Sequence, residues 1–292
     1  MFTITLICFV SWLSSLKPVE GHGFVHSVIV GGREYPGWNP FSDPYSVPPA
    51  KIVRKVLNDG FIDSEDADLP CHHGGNDGTG AIADVNAGSQ VTLRWSYWPA
   101  DHQGPVSTYM ASCNGDCATF LAGNGKWFKL DAEGYDSSTR QWATDRLRAN
   151  NNSWSSTIPA QLAPGQYLIR NEIIALHSII PQFYPSCSQI NVSGTGTSQP
   201  HENELVSIPG LYNNAIWPNI YGNFSSFTIP GPLPVTFSDN EGGATPVSPT
   251  AASTPPNPSG GDTSTTWSVP KPSRPPTHCH LASRRLIRRR SR

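Results

Sequence analysis

The sequence is short of charge, of sulfur and of long apolar runs. Only 14% of its 292 residues are charged, and it contains two methionines and six cysteines. Beyond the amino terminus, no apolar run approaches the roughly 20 residues that a membrane-spanning helix needs. Residues 22–235 carry 11 Lys and Arg against 18 Asp and Glu. This acidic balance argues against nucleic-acid binding, because phosphates require a basic surface.

Glycine and proline, in contrast, are abundant. There are 26 Gly and 28 Pro, a composition that is typical of a loop-rich β protein and argues against a helical bundle. Short runs of β-branched and aromatic residues between turn signals predict strands. These runs lie at residues 22–30, 81–85, 90–97, 106–112, 165–176, 187–192 and 224–229. The pattern predicts an all-β protein, an immunoglobulin- or fibronectin-like β-sandwich with long decorated loops.

The amino terminus has the features of a secretion signal. Residues 1–16 are apolar, and the chain then turns polar and reaches Pro18. Val19 and Gly21 are small or tolerated residues at the positions that fit cleavage before His22. We therefore expect an extracellular protein from which residues 1–21, the signal peptide, are removed.

Four of the six cysteines fall within residues 22–235, where an oxidising compartment would pair them. Four cysteines allow three connectivities. The close spacing of Cys113 and Cys117 suits a tight turn, which favours the pairs Cys113–Cys117 and Cys71–Cys187. A zinc site is the alternative, but neither Cys71 nor Cys187 has the nearby partner that such sites usually show.

The composition changes towards the carboxyl end. Residues 245–276 contain 9 Pro, 6 Ser and 6 Thr, which predicts a linker that buries no core. Residues 236–292 carry 8 Lys and Arg against 3 Asp and Glu. We predict one domain at residues 22–235 and a disordered basic tail at 236–292. Sequons that permit glycosylation occur at Asn151, Asn191 and Asn223.

The metal chemistry predicted from the residues themselves depends on His22. Cleavage would make His22 the amino terminus, where its α-amino nitrogen and ring Nδ1 can chelate one ion. With a third nitrogen from another imidazole, the set suits copper, and an amine with a pKa near about 8 readily gives up its proton to such a metal. His26 would lie roughly 13 Å away along a strand, so it cannot share the ion. The loop residues His72, His73 and His201 are expected to be solvated.

Six segments carry a resemblance to a known family. They are His22–Val25, Trp98–Ala111, Gly165–His177, Gln182–Cys187, Ile208–Tyr212 and Asn219–Pro232. In this order they resemble the fungal lytic polysaccharide monooxygenases of auxiliary activity family nine. The resemblance implies one copper ion held by the amine and ring of His22, the ring of His102 and, near an axial position, Tyr184. It also implies that His177 and Gln182 hydrogen-bond the oxygen species at the metal.

The family resemblance further implies an oxidoreductase, which we expect to be secreted and monomeric. It would use O2 or H2O2 and an external electron donor to cleave β-1,4-glucans, cellulose or hemicellulose, at C1 or C4. Two departures from the family pattern are Asn171, where the family usually has His, and a short loop between His177 and Gln182. Aromatic residues of the long loops are candidates to stack on sugar rings, namely Tyr35, Trp38, Tyr212 and Trp217, with packing inside the loops as an equal alternative.

Other classes of function have less support in the residues. A glycoside hydrolase needs two carboxylates about 5–10 Å apart, and no spacing singles out such a pair. A serine esterase would show a Gly-x-Ser-x-Gly elbow, which the sequence lacks. A non-catalytic, wall-associated copper-binding protein on the same fold is the remaining alternative. The set His102, Gln182 and Tyr184 argues against it, because a protein that only stores copper has no need of groups that activate oxygen.

Overall fold

The computed structural model describes residues 22–222 and 226–237. Over these residues the chain forms two main β-sheets with a core between them, which confirms the predicted β-sandwich. The predicted signal peptide, the sequon at Asn223 and the tail from residue 238 onward lie outside the described residues. Within the described part, no helix has both the length and the apolarity needed to cross a bilayer.

The described residues contain many short strands and little helix. In chain order the strands are β1 (Val25–Val30), β2 (Arg33–Pro36), β3 (Ala83–Asn86), β4 (Gln90–Trp95), β5 (Val106–Ser112), β6 (Lys126–Glu133), β7 (Tyr135–Asp136), β8 (Gln141–Trp142), β9 (Ser153–Thr157), β10 (Gly165–Ala175), β11 (Gln182–Ser193) and β12 (Val206–Ser207). Helix α1 (Ala143–Ala149) precedes β9, and 3₁₀ turns occur at Asp43–Tyr45, Ala122–Asn124 and Glu202–Glu204.

The strands assemble into one four-stranded and one six-stranded sheet. The first has the order β2-β1-β4-β9, the second has the order β12-β6-β5-β10-β11-β3, and β7 and β8 form a small hairpin. The pairs within the two large sheets are antiparallel except for β11 and β3, which run parallel. The long β10–β11 hairpin therefore crosses the middle of the larger sheet.

The six-stranded sheet is buried on both faces, as β10 illustrates. Tyr167, Ile169 and Ile173 belong to the cluster between the two sheets, whereas Leu168 and Ile174 belong to a second cluster on the opposite face. Successive side chains of a strand point to opposite faces, so each face of this sheet needs its own cover. The long loops provide the second cover, and this explains why β10 is almost continuously apolar.

Most of the predicted strands are present, with shifted ends. The strand predicted at 106–112 coincides with β5, and those at 22–30, 81–85, 90–97, 165–176 and 187–192 overlap β1, β3, β4, β10 and β11. The sequence does not predict β2, β6, β9 or α1. The strand predicted at 224–229 is not observed in its described part, 226–229. There Phe227 packs instead against the rings of Trp142 and Trp217.

Covalent and packing contacts hold the loops and the carboxyl end of the described chain. Both favoured disulfides, Cys71–Cys187 and Cys113–Cys117, are present. Near the end, the Val235 amide donates to the Lys129 carbonyl at 2.9 Å, and Phe237 packs against the core. The packed chain thus continues beyond the predicted boundary at residue 235.

Candidate metal centre

Three segments that are distant in sequence meet at one end of the sandwich. His22 directly precedes the first sheet, and His102 lies in the loop between β4 and β5. His177 follows β10, and Gln182 and Tyr184 begin β11. The β10–β11 hairpin and the start of β5 share this end because Ile173 pairs with both Val106 and Tyr184.

The segment that carries His22 is held against the end of β4. The Phe24 amide donates to Ser96 Oγ at 3.1 Å, and the Ser96 amide donates to the Phe24 carbonyl at 2.8 Å. The intervening chain passes so near Trp98 that a Cβ on Gly23 would lie 3.0 Å from Cε3 of the indole. Glycine beside His22 therefore allows the close approach that fixes the histidine at the site.

The loop that carries His102 is held against β10. The Trp98 indole N–H donates to the His102 carbonyl at 2.9 Å, and the Leu176 amide donates to the Gln103 carbonyl at 2.8 Å. A Cβ on Gly104 would lie 1.8 Å from the Ile174 carbonyl oxygen, so only glycine fits at this contact. His102 is consequently 7% exposed, with its ring at the edge of the sheet.

The rings of His22, His102 and Tyr184 surround one small space. The His22 and His102 ring centroids are 5.8 Å apart with the planes at 89°, and the His22 and Tyr184 centroids are 6.0 Å apart. Two imidazoles that each bind an ion through one nitrogen at about 2 Å would have centroids about 6 Å apart. The observed separation therefore fits one ion between the two histidines.

Hydrogen bonds select the nitrogen that His102 can offer to a metal. Its Nδ1 lies 3.0 Å from Asp101 Oδ1, so Nδ1 carries the proton and Nε2 keeps its lone pair. The bond to His102 also lowers the pKa of the Asp101 carboxyl. Trp98 stands behind the site, with its ring centroid 5.0 Å from that of Tyr184 in an edge-to-face contact. The donors present suit a nitrogen-ligated metal such as copper.

His177 and Gln182 flank this space but have different partners. The His177 ring stacks on His102 with centroids 3.8 Å apart, and Gln182 Oε1 accepts a hydrogen bond from the Tyr184 hydroxyl at 2.8 Å. Among the described residues, no hydrogen bond joins His177 to Gln182. Burial, followed by the charge of His102, lowers the pKa of His177, and its Nδ1 is buried without a hydrogen-bond partner. Burial also raises the pKa of Tyr184, so its phenol remains protonated.

The predicted sugar-stacking residues do not share one surface. Tyr212 is only 5% exposed and donates its hydroxyl hydrogen to the buried carboxylate of Glu172, so its prediction as a substrate contact is wrong. Trp217 is half-buried and packs on Phe227. Trp38 lines a separate groove of about 660 Å³, with the Lys55 ammonium 5.2 Å from its ring centroid.

Other predicted residues also have defined environments. His72 is 3% exposed and its Nε2 lies 2.8 Å from the Gly60 carbonyl, so the expectation that it is solvated is wrong. Asn151 is exposed and stays a candidate for glycosylation, whereas Asn191 is half-buried and donates to Asp84 at 2.7 Å. Tyr35 is half-buried, and the guanidinium of Arg33 lies over its ring.

The structure adds residues to which the sequence assigned no role. A groove of about 480 Å³ begins at His177 and is bordered by the loop to Pro181 and by Trp217 and Tyr221. Tyr221 is 73% exposed and donates its hydroxyl hydrogen to the His177 carbonyl at 3.1 Å. Asp101 directly precedes His102. Both new residues lie inside segments that carry the family resemblance, and only their contacts distinguish them there.

Comparisons with known proteins agree with this geometry. A sequence profile of Auxiliary Activity family 9 (formerly GH61) matches residues 22–228. The chain is 40% identical to AA9 family lytic polysaccharide monooxygenase A of Gloeophyllum trabeum over 242 residues, which cover 77% of this chain and 75% of that protein.

Solved structures give the same result. The extended catalytic domain of H. jecorina LPMO9A has a TM-score of 0.66 and 34% identity, with 77% of this chain and 97% of that one covered. A cellulose-active polysaccharide monooxygenase from M. thermophila has a TM-score of 0.65 and 35% identity, with 72% and 97% covered. The chain belongs to Auxiliary Activity family 9, the lytic polysaccharide monooxygenases, and is a copper-dependent oxidoreductase that acts on polysaccharide.

Proposed function

We propose that this protein is a secreted monooxygenase that cleaves β-1,4-glucan chains, cellulose or hemicellulose, by oxidation at C1 or C4. One copper ion would be held by the amine and ring of His22 and by the ring of His102, with the Tyr184 phenol beside it. The single observation that carries this proposal is the perpendicular pair of imidazoles 5.8 Å apart beside the Tyr184 ring.

The amine ligand requires cleavage before His22. The family profile begins its match at this residue, which supports a mature chain that starts there. His102 would bind through Nε2, since its Nδ1 hydrogen-bonds Asp101. When bound, copper supplies one-electron redox chemistry that activates O2 or H2O2 with electrons from an external donor.

The surrounding side chains supply fixed hydrogen-bonding groups. The buried Tyr184 phenol stays protonated and donates a hydrogen bond to Gln182 Oε1, which leaves Nε2 of Gln182 to donate towards the reacting atoms. Burial, followed by the charge of His102, lowers the pKa of His177, which favours the neutral form of the ring that stacks on His102. Such preorganised groups stabilise developing charge without reorganising during the reaction.

The substrate surface would lie beside His177. Tyr221 and Ile179 are both exposed there and border the groove, while Tyr212 is buried. An exposed phenol ring offers a flat face to a pyranose ring, so Tyr221 replaces Tyr212 as the proposed stacking residue. The relative described as cellulose-active supports a glucan as substrate.

The ligand set is tested by variants of the secreted protein. His102→Ala, and insertion of one Ala between residues 21 and 22, should each lower copper affinity by several orders of magnitude, because each removes a nitrogen ligand. Calorimetry measures the affinity, and mass spectrometry establishes where the mature chain begins. Unchanged copper binding in both variants would refute the proposed site.

The activity is tested by the products formed from phosphoric-acid-swollen cellulose with a reductant. Oxidised oligosaccharides should appear with the wild-type protein and disappear with His102→Ala. Gln182→Ala should retain copper yet lose roughly 10–100-fold in oxidation rate, the usual size of effects from groups around a metal site. Equal loss of copper from Gln182→Ala and His102→Ala would contradict the separate roles.

A further inference from the structure

We propose that Asp101 is a positioning residue for copper, which fixes the tautomer of His102 and makes its Nε2 a stronger donor to Cu(II). The proposal rests on the proposed function, because it takes His102 as a ligand. The observation that carries it is the 3.0 Å contact between Asp101 Oδ1 and His102 Nδ1.

The contact has a direct chemical consequence. When the Nδ1–H of a histidine donates a hydrogen bond to a carboxylate, Nε2 is left without a proton and its basicity rises. The negative charge of Asp101 also stabilises the higher charge of Cu(II) relative to Cu(I). Asp101 should therefore strengthen Cu(II) binding and lower the Cu(II)/Cu(I) reduction potential.

The loop around His102 is held by hydrogen bonds that do not involve the Asp101 carboxylate, so this carboxylate would act on His102 alone. The His102 amide donates to the Pro99 carbonyl at 3.4 Å, the Gln103 amide donates to the Asp101 carbonyl at 2.9 Å, and the Trp98 indole donates to the His102 carbonyl at 2.9 Å. None of these bonds uses the Asp101 carboxylate. Substitution at residue 101 should leave the loop folded.

The expected effect on copper binding is moderate because the Asp101 carboxylate is exposed to solvent. The His102 side chain is 9% exposed, whereas the Asp101 side chain is 72% exposed, so water and salt screen part of the charge. Removing an outer partner of a metal-binding histidine costs 10–100-fold in affinity. We expect the lower end of this range, a loss of about 10-fold in Cu(II) affinity, and little change in Cu(I) affinity. A 10-fold loss of Cu(II) affinity alone corresponds to a rise of about 59 mV in the one-electron Cu(II)/Cu(I) potential.

The test compares Asp101→Ala and Asp101→Asn with Glu65→Gln, which removes an exposed carboxylate elsewhere. Copper affinity is measured by competition calorimetry, and the potential by redox titration followed with paramagnetic resonance. Asp101→Ala should show both changes. Asp101→Asn keeps a hydrogen-bond acceptor, so nitrogen NMR of the metal-free protein should show the wild-type His102 tautomer while the potential still rises.

The outcomes separate this inference from the proposed function. If Asp101→Ala matches Glu65→Gln in both affinity and potential while His102→Ala loses copper, the role of Asp101 is wrong and the ligand set stands. If His102→Ala keeps the wild-type Cu(II) spectrum, His102 is not a ligand and both proposals fall. A potential that rises in Asp101→Ala but not in Glu65→Gln supports the inference.

Discussion

Replacing Glu172 by Gln tests the polar cluster that lies beneath the loop layer. Arg170 and Glu172 are both fully buried and hydrogen-bonded to each other, and Tyr212 also donates to the Glu172 carboxylate. Arg170 further donates to the Pro70 carbonyl at 2.7 Å and to the Leu69 carbonyl at 3.1 Å. The cluster therefore joins β10 to the loop that leads into the Cys71–Cys187 disulfide.

Glu172→Gln keeps the shape of the side chain and removes its charge, which leaves a buried guanidinium without an opposing ion. Breaking a buried pair in this way costs about 3–5 kcal/mol. In a domain of this size each kcal/mol lowers the melting temperature by about 2–4 °C. We therefore expect the melting temperature to fall by about 6–20 °C.

The assay is thermal unfolding followed by circular dichroism, with disulfides intact and copper removed by a chelator, since bound copper would itself raise the melting temperature. Glu34→Gln is the matched control, because its pair with Arg94 is solvent-exposed and such pairs contribute little. A double replacement of Arg170 by Met and Glu172 by Leu should recover part of the loss, because the buried guanidinium is removed together with its partner. If Glu172→Gln loses no more stability than Glu34→Gln, the reasoning about the buried pair is refuted.

Three further predictions concern acid stability, the chain end and the substrate surface. Burial lowers the pKa of His72, so the unfolded chain binds more protons and stability falls as the pH drops below about 6.5. Asn tolerates the positive φ of 71° at this position, so His72→Asn should reduce the change in melting temperature between pH 7.5 and 5.5. An unchanged dependence of the melting temperature on pH would contradict this. A chain that ends at Pro234 should melt lower than one that ends at Phe237, because it loses the buried Val235, and equal melting would show that this contact is unimportant. Tyr221→Ala should weaken adsorption to cellulose and leave calorimetric copper affinity unchanged, whereas unaltered adsorption would remove Tyr221 from the substrate surface.

Local patterns in the sequence determine much of the fold. Alternation and turn residues locate β5 and most of β4 and β10, because strand periodicity is a local property. The disulfide pairing follows from the short spacing of Cys113 and Cys117. The sequence does not predict strand β6 or helix α1: β6 is held by its pairing with β5 and β12, and Ala143 and Leu147 of α1 are buried in the core between the sheets.

The sequence also identifies the types of metal ligand, since a terminal histidine offers an amine and a ring nitrogen and His102 offers a second ring nitrogen. Only the tertiary structure decides which donors meet and which side chains face water. Tyr212 and His72 lie in loop segments that look exposed, yet both are buried because the loops cover the outer face of the six-stranded sheet. The distance between His22 and His102 depends on how closely the chain at Gly23 and Gly104 packs on Trp98 and β10. Such contacts join residues far apart along the chain, and the periodicity of a single strand contains no information about them.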